Sequence, residues 1–551
     1  MIGASCWRNR ADSVKREIIM KHDRLAKADE FIKKEAHVLD IGHIIRRMAN
    51  DADCTNTAKT AIKEESGRSW SYKELHLISN SYANKLRELG VQKGDRVGIL
   101  LFNCLEYIGL YFAAAKIGAI AVRLNFRLSS DEFQYALNDS GTKVLCFHSS
   151  LTEVLEGIID QVPVENYICL QNEEEDIPDW SHPWTILQEG STDEAQVHIE
   201  MDDPVMLMYT SGTTGRPKGA VWTHQTTYWF SVMQVLRWKF TGQEIGMTTG
   251  PLYHVAAWED VALPIMLMGG TVLITKSTGF EIERILKVME EEKVTDCFLF
   301  PFMIYDMLNS PALNRYKLAH LNTIFTGGDP IMPWALEKLK DLFPSLKVVQ
   351  VYGLTEGTPI CASLNPEDVY TKGHTVGTPM PLTEIRVVDD NGNSMPTGQI
   401  GEIAIKSPAV SKGYWQKPSE TAKTFADGFC FTGDLGKFDG EGFLTIAGRK
   451  KDMIRSGGEN IYAAEIEDVL YRLEGVKDVA IIGIPDPKYI EAVCAIVVRK
   501  EKAGLTEDDI IEYCKQHLAS YKKPKKVIFI DALPRTPSGK VQKFILRNQF
   551  G

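Results

Sequence analysis

The sequence predicts an α/β protein in two parts. A large N-terminal domain combines parallel α/β units with a β subdomain, and a small α+β C-terminal domain follows. Three observations predict this. Strand-like apolar runs alternate with helical patterns from Ile41 to about residue 200 and again beyond residue 220, the rhythm of βαβ units around a largely parallel sheet. Between Thr383 and Gly448 the helical patterns give way to short strands separated by Asn-Gly, Asp-Gly and Glu-Gly turns. Beyond the polar joint Gly448-Arg-Lys-Lys-Asp452 comes a unit with strands and helices of its own. At 551 residues the chain also exceeds one ordinary domain. We divide it into an extension (1–40), a large domain (41–450) and a small domain (451–551).

Each element has its own justification. Arg96 to Phe102 reads as a strand, Glu106 to Ala115 as a helix and Lys143 to Phe147 as the next strand. Glu153 to Glu200, with its acidic run Glu173-Glu-Glu-Asp176, reads as variable surface. Pro204-Val-Met-Leu-Met-Tyr209 is a buried strand. Gly270–Thr275, Glu281–Lys293 and Thr295–Phe300 then repeat the strand, helix, strand order. In the β subdomain, Glu384–Val388, Gly401–Lys406 and Gly442–Ile446 are strands, with turns at Asn391-Gly392, Asp427-Gly428, Asp439-Gly440 and Glu441-Gly442. The small domain begins with a helix from Ala463 to Leu473 that aligns Ile466, Val469, Leu470 and Leu473 on one face. Strands Val479–Gly483 and Ala492–Val498 follow, and Thr506 with Asp509 forms a capping pair for another helix.

Composition narrows the function. Apolar residues at 44% and charged residues at 25% are globular averages. A net charge of −11 argues against nucleic acid as the principal partner. The ten cysteines include no C-x-x-C pair, so neither a zinc site nor a disulfide framework is indicated, and free thiols suit a reducing cytoplasm. The longest apolar tract, Val97 to Val122, is broken by Asn103, Glu106 and Lys116 and reads as a strand and core helix, not a membrane span. Near the N-terminus, Lys15 to Lys34 reads as a charged, solvated helix, with peripheral membrane contact left open.

The chemistry centres on Thr210-Ser-Gly-Thr-Thr-Gly-Arg-Pro-Lys-Gly219, directly after the strand ending at Tyr209. Gly212, Gly215 and Gly219 let backbone N–H groups turn toward one point. Thr210, Ser211, Thr213 and Thr214 add hydroxyls, and Arg216 and Lys218 add charge. Such a nest suits a polyphosphate. It is not a Walker A loop: Pro217 directly precedes Lys218, and Gly219 stands where a magnesium-binding Ser or Thr would.

Other strings carry the remaining functional groups. Gln350-Val-Tyr-Gly-Leu-Thr-Glu356 continues a strand and offers an aromatic face at Tyr352, a hydroxyl at Thr355 and a hard oxygen ligand at Glu356. Phe431-Thr-Gly-Asp434 and Gly448-Arg449 supply a carboxylate and a cationic fork. Pro534-Arg-Thr-Pro-Ser-Gly-Lys-Val541 presents Lys540 on a rigid turn. Pro251-Leu-Tyr-His254 and Trp258 follow a strand-like segment. Ser456-Gly-Gly-Glu-Asn-Ile-Tyr462 opens the small domain.

In this order the strings resemble those of the adenylate-forming superfamily, which includes acyl-CoA synthetases, firefly luciferase and the adenylation domains of peptide synthetases. The resemblance runs from about Met48 to the C-terminus. It implies that Thr210, Ser211, Gly212, Thr213, Thr214, Gly215 and Lys218 hold the phosphates of ATP. It places Gly328, Asp329, Tyr352 and Gly353 at adenine and Asp434 and Arg449 at ribose. Thr355 then contacts the α-phosphate and Glu356 holds Mg²⁺. Lys540 bridges the reacting carboxylate and α-phosphate. His254, Trp258 and Gly327 line the acyl pocket, and Gly457, Gly458 and Glu459 the coenzyme A passage. Lys451 matches the hinge of a mobile C-terminal domain. Two departures stand out: Asp329 where a small residue is frequent, and Ala463 where proline commonly follows the tyrosine.

The expectation is an ATP-, Mg²⁺- and coenzyme A-dependent acid–CoA ligase. Trp258 and Val255-Ala-Ala favour a medium- or long-chain fatty acid. An aryl acid of hydroxycinnamate or benzoate type is the runner-up. Other readings weighed are adenylation with a non-CoA acceptor, a degenerate acyl- or nucleotide-binding protein, and a P-loop NTPase. A homodimer is left open.

Overall fold

The computed structural model describes residues 40–50, 59–171, 175–210, 216–329, 331–456, 459–501, 503–535 and 541–551. The expected helix at 15–34, Cys6, Cys54 and part of the acidic run at 173–176 lie outside them. Two compact units are present. One contains Ser69–Tyr209, Val221–Tyr228 and the described part of Met1–Ala61. The other contains Ile62–Arg68, Thr210–Ala220 and Trp229–Gly551.

The first unit is built on a sheet of parallel strands in the order His182–Pro183, Asn166–Leu170, Thr142–His148, Arg96–Leu100, Ile120–Arg123 and Pro204–Thr210. Apolar runs such as Val97 to Leu100 are buried, as expected where helices cover both faces. The helix Tyr72–Glu88 starts at a capping box in which Ser71 and Glu74 satisfy each other's backbone N–H groups. The sequence reading of residues 153–200 as surface needs correction, because Asn166–Leu170 is a sheet strand with Tyr167, Ile168 and Cys169 buried. Lys116, which interrupts the apolar tract, is only 2% exposed. Its ammonium donates to Ser79 Oγ and Asn80 Oδ1, each at 2.7 Å, and lies 3.0 Å from His76 Nδ1. Burial pulls its pKa down to about 7.

The second unit carries a mixed sheet. From Thr60–Glu64 the order runs through Thr271–Ile274, Ile245–Thr248, Asp296–Phe298 and Thr323–Gly327 to Lys347–Leu354, all parallel. Thr358–Leu364 and Thr378–Pro379 then add antiparallel strands. The register pairs Thr248 with Phe298, Phe298 with Phe325 and Gly327 with Val351. The segments after residues 248, 298, 327 and 352 therefore emerge at one end, where ligands collect in open α/β sheets.

In the β subdomain Glu384–Val388 and Gly401–Lys406 have the expected bounds and pair antiparallel, whereas the strand expected at Gly442–Ile446 spans Leu444–Arg449, and an unexpected strand, Phe429–Phe438, joins it to Gly401–Lys406. Asp427 and Gly428 both have positive φ (53° and 77°), the conformation of a two-residue hairpin turn. Ile385, Val387, Ile403, Ile405 and Leu444 pack with Cys361 and Ala362, and Tyr352 and Leu354 rest against them.

In the small domain, Val476–Asp486 and Ile490–Arg499 form the long antiparallel pair, with Lys526–Phe529 parallel to the second. Val479, Ile481, Val493, Ala495 and Val497 pack on one face of this sheet, and Ala480, Ile482, Cys494, Ile496 and Val498 on the other. Strict alternation between two apolar clusters explains why these strands read as continuous hydrophobic runs. The first helix spans Ala463–Tyr471, and the Thr506–Asp509 capping box starts helix Glu507–His517. No described helix is long and apolar enough to cross a membrane.

Candidate active site

Glu356 follows the end of strand Lys347–Leu354. Its Oε1 accepts hydrogen bonds from Thr210 Oγ1 at 2.9 Å and Tyr414 Oη at 3.0 Å. Its backbone carbonyl accepts from Ser411 N at 2.9 Å. Thr210, the first residue of the proposed phosphate loop, is thereby linked directly to the candidate magnesium ligand. The same short segment also grips the far end of that loop. Tyr414 bridges Ala220, Trp415 N donates to Gly219 O at 2.8 Å, and Lys218 Nζ lies 5.0 Å from the centre of the Tyr414 ring. Burial first, then the Glu356 carboxylate, raises the Tyr414 phenol's pKa, so it remains a donor.

A second cluster lies beside the first on the β subdomain. Asp434 and Arg449 are cross-strand partners, and Arg449 Nε meets Asp434 Oδ1 at 2.6 Å. Tyr352 Oη donates to Asp434 Oδ2 at 2.7 Å. Asp434 is 5% exposed, and burial, reinforced by that carboxylate, pushes the Tyr352 hydroxyl well above its ordinary pKa. Two of the carboxylate's roughly four lone-pair directions are thus used. Gly353 sits at a register shift between Tyr352 and Leu354. A methyl group there would lie 2.3 Å from Thr358 O and 2.4 Å from Pro359 O, so only glycine lets the backbone close this bulge.

The residues expected to line the acyl pocket end or follow the strands Thr323–Gly327 and Ile245–Thr248, between which Asp296–Phe298 lies in the sheet. Gly327 ends strand Thr323–Gly327, and Gly328 follows with φ of 93°, a conformation that favours glycine. Asp329 is exposed. His254 caps the short helix Val255–Trp258, whose Trp258 is fully buried.

The small domain supplies the remaining residues. Glu459 begins a short strand, paired with Ile454–Ser456. Lys451 lies between two ion-paired neighbours: Lys450 meets Asp390 at 2.8 Å and Glu402 at 2.9 Å, and Asp452 meets Arg547 of the last helix at 2.5 Å. Ser211, Gly212, Thr213, Thr214, Gly215, Gly457, Gly458 and Lys540 lie outside the described residues. Arg535 and Val541, which flank Lys540's turn, pair as an antiparallel bridge.

Sequence reasoning missed Tyr414. Its only signal was an aromatic pair in the loop Ser411-Lys-Gly-Tyr-Trp415. Glu356, with two hydroxyls converging on one oxygen, is a hard-oxygen donor set that fits Mg²⁺. Among the described residues no group of three or more His, Cys, Asp or Glu could hold a metal.

The contacts of Thr210 and Tyr414 with Glu356, and the linked trio Tyr352, Asp434 and Arg449, join strand ends of the mixed sheet to the β subdomain. Comparison with known proteins gives the family. Residues 49–415 match the AMP-binding enzyme family and residues 465–540 the AMP-binding enzyme C-terminal domain. The chain is similar to a feruloyl-CoA synthase of Amycolatopsis (36% identity, covering 89% of this chain and 96% of the relative). It is also similar to the long-chain-fatty-acid–CoA ligase FadD13 of Mycobacterium tuberculosis (37% identity, 87% and 93% covered). In structure it is similar to ATP-bound MatB from Rhodopseudomonas palustris (TM-score 0.84, 31% identity, 93% and 99% covered). The protein belongs to the AMP-binding, adenylate-forming family of acyl-CoA synthetases.

Proposed function

We propose that this ATP-dependent acid–CoA ligase activates a carboxylic acid with an apolar body. The observation that carries the reading is the convergence of Thr210, Lys218, Tyr414 and Glu356 beside the linked trio Tyr352, Asp434 and Arg449. In the first half-reaction an acid oxygen attacks the α-phosphorus, the bond to pyrophosphate breaks, and acyl-AMP forms. Lys218, Thr355 and Lys540 stabilise charge on the phosphates, and positioning with electrostatics carries catalysis. Magnesium, held by Glu356, would neutralise phosphate charge. Asp434 and Arg449 fix the ribose. The small domain, residues 451–551, then turns about Lys451, withdrawing Lys540 and bringing Gly457, Gly458 and Glu459 to admit coenzyme A. Its sulfur attacks the acyl carbonyl and AMP leaves. A cytoplasmic setting suits the buried free thiols at Cys146, Cys297, Cys361 and Cys494.

For the acid, Trp258 with the apolar Val255-Ala-Ala segment supports a medium- or long-chain fatty acid. An aryl acid of hydroxycinnamate or benzoate type is the second reading, supported by the similarity to a feruloyl-CoA synthase. Thioester formation with ATP, Mg²⁺ and coenzyme A, across saturated acids from hexanoate to hexadecanoate plus benzoate and 4-coumarate, tests both. Activity on at least one acid class supports the ligase. AMP release without thioester would refute coenzyme A as the acceptor.

A further inference from the structure

Residues 40–50 are seated on three buried bases. Helix His43–Asn50 buries Ile44, Ile45, Met48 and Ala49 and packs on helix Tyr72–Glu88. Just ahead of it, Ile41 N donates to Nδ1 of the fully buried His224 at 3.1 Å. Gly42 rests on the stem of Lys116, where an added methyl group would lie 2.9 Å from Cγ. Arg46 Nε donates to Glu194 Oε1 at 2.6 Å, and Glu194 Oε2 lies 3.9 Å from Nε2 of the buried His76. His76 Nδ1 is in turn 3.0 Å from Lys116 Nζ.

These contacts leave little room for another proton. A ring nitrogen that accepts from a backbone N–H carries no hydrogen of its own, so Ile41 is held by an uncharged His224. The other ring nitrogen, Nε2, is buried without a hydrogen-bond partner among the described residues. His76 faces the Lys116 ammonium through Nδ1, and its Nε2 lies 3.4 Å from Asn80 Nδ2, a donor. The charged groups facing this seat are Asp40, His43, Arg46 and Arg47 on the seated segment, Glu194 beside His76 and Lys116, and Asp203 and Lys93 beside His224. The carboxylates are already engaged: Glu194 and Asp40 with Arg46, the latter at 3.4 Å, and Asp203 with Lys93 at 2.6 Å. Burial lowers both imidazoles to about 4 and Lys116 to about 7.

We propose that residues 40–50 form a proton-released clasp, docked while His224 and His76 are uncharged and freed when they take up protons, ahead of the sheet behind them. Once the segment lifts, the imidazoles meet water and regain their ordinary basicity. Undocked, they bind protons as pH falls through 6.5; docked, they resist until about 4. Docking is therefore full above pH 6.5 and weakens as pH falls toward 4. Lys116 works in the same sense at higher pH, between its ordinary 10.5 and about 7.

The test is amide hydrogen exchange of the full chain at pH 8 and pH 5, corrected for the intrinsic effect of pH. It is read at residues 41–50 and, for comparison, at the central strand Arg96–Leu100. Protection at 41–50 is expected to fall by about 100-fold or more at pH 5 while the strand keeps its own. His224→Asn and His76→Asn each set an amide oxygen near the place of Nδ1 and remove the titration. Together they are expected to shrink the pH effect at 41–50 to about tenfold, the share left to Lys116. Should the double variant fail to fold, each single variant and the parent series still decide. Equal protection at the two pH values, loss only together with the strand, or a pH effect unchanged in the variants overturns the proposal.

Discussion

Tyr352 and Asp434, 82 positions apart, share a 2.7 Å hydrogen bond that locks the end of a central strand to the β subdomain. Arg449 holds the other carboxylate oxygen. The carboxylate is thus aimed before any nucleotide arrives, which spares binding the cost of orienting it.

Asp434→Asn keeps the shape but loses the charge that holds Arg449 and would accept from ribose. KM for ATP in pyrophosphate exchange is expected to rise about 10- to 100-fold, with a smaller rise for Tyr352→Phe. Equal KM values in Asp434→Asn and the parent would remove Asp434 from the nucleotide site.

At Glu356, two hydroxyls converge on one oxygen. Glu356→Gln removes the charge offered to magnesium, and the adenylation rate should fall about 100-fold or more while the melting temperature changes little. Tyr414→Phe retains the ring beneath Lys218 and removes one donor, so a loss of only a few-fold is expected. A Glu356→Gln enzyme with normal rates at limiting magnesium would contradict the assignment.

Lys540→Ala should separate the half-reactions. Pyrophosphate exchange is expected to drop by at least about 100-fold, while thioester formation from supplied acyl-AMP persists. Loss of both would mean that Lys540 serves the fold or both steps.

His224 provides a pH test of stability. It is fully buried, accepts from Ile41 N at 3.1 Å, and burial lowers its pKa from 6.5 to about 4. Unfolded, the imidazole takes a proton as pH falls through 6.5; folded, it resists until about 4. Stability is therefore present above pH 6.5 and lost as pH falls toward 4, by about 3 kcal/mol at most from this residue. Thermal unfolding at pH 7.5 and pH 5 should show a steeper acid loss in the parent than in His224→Gln. Parallel slopes would count against it.

The architecture was largely legible because its signals are local. Continuous apolar runs mark Val479–Gly483 and Ala492–Val498, and Thr506 with Asp509 marks a helix start; neither depends on distant neighbours. Asp434 and Arg449 were named together only through the resemblance to a known family, and that paired strands set them opposite each other is what the structure adds. What stayed hidden depends on tertiary placement. Lys116 reads as an interruption until the helix bearing Ser79 and Asn80 is packed against it. Tyr414 reads as an ordinary loop aromatic until the fold brings its hydroxyl to Glu356. Asn166–Leu170 was lost inside a polar stretch because a five-residue strand is a weak signal beside charged flanks.

The ion pairs either side of Lys451 have a mechanical meaning. Lys450 is fastened to the β subdomain through Glu402 and Asp390, and Asp452 to the terminal helix through Arg547. If the small domain turns there, the twist is confined to two backbone torsions, and everything beyond residue 452 swings as a rigid arm. Angular slack at such a pivot is magnified with distance along the arm. Loosening either fastening would blur where the arm stops without touching a single reacting group.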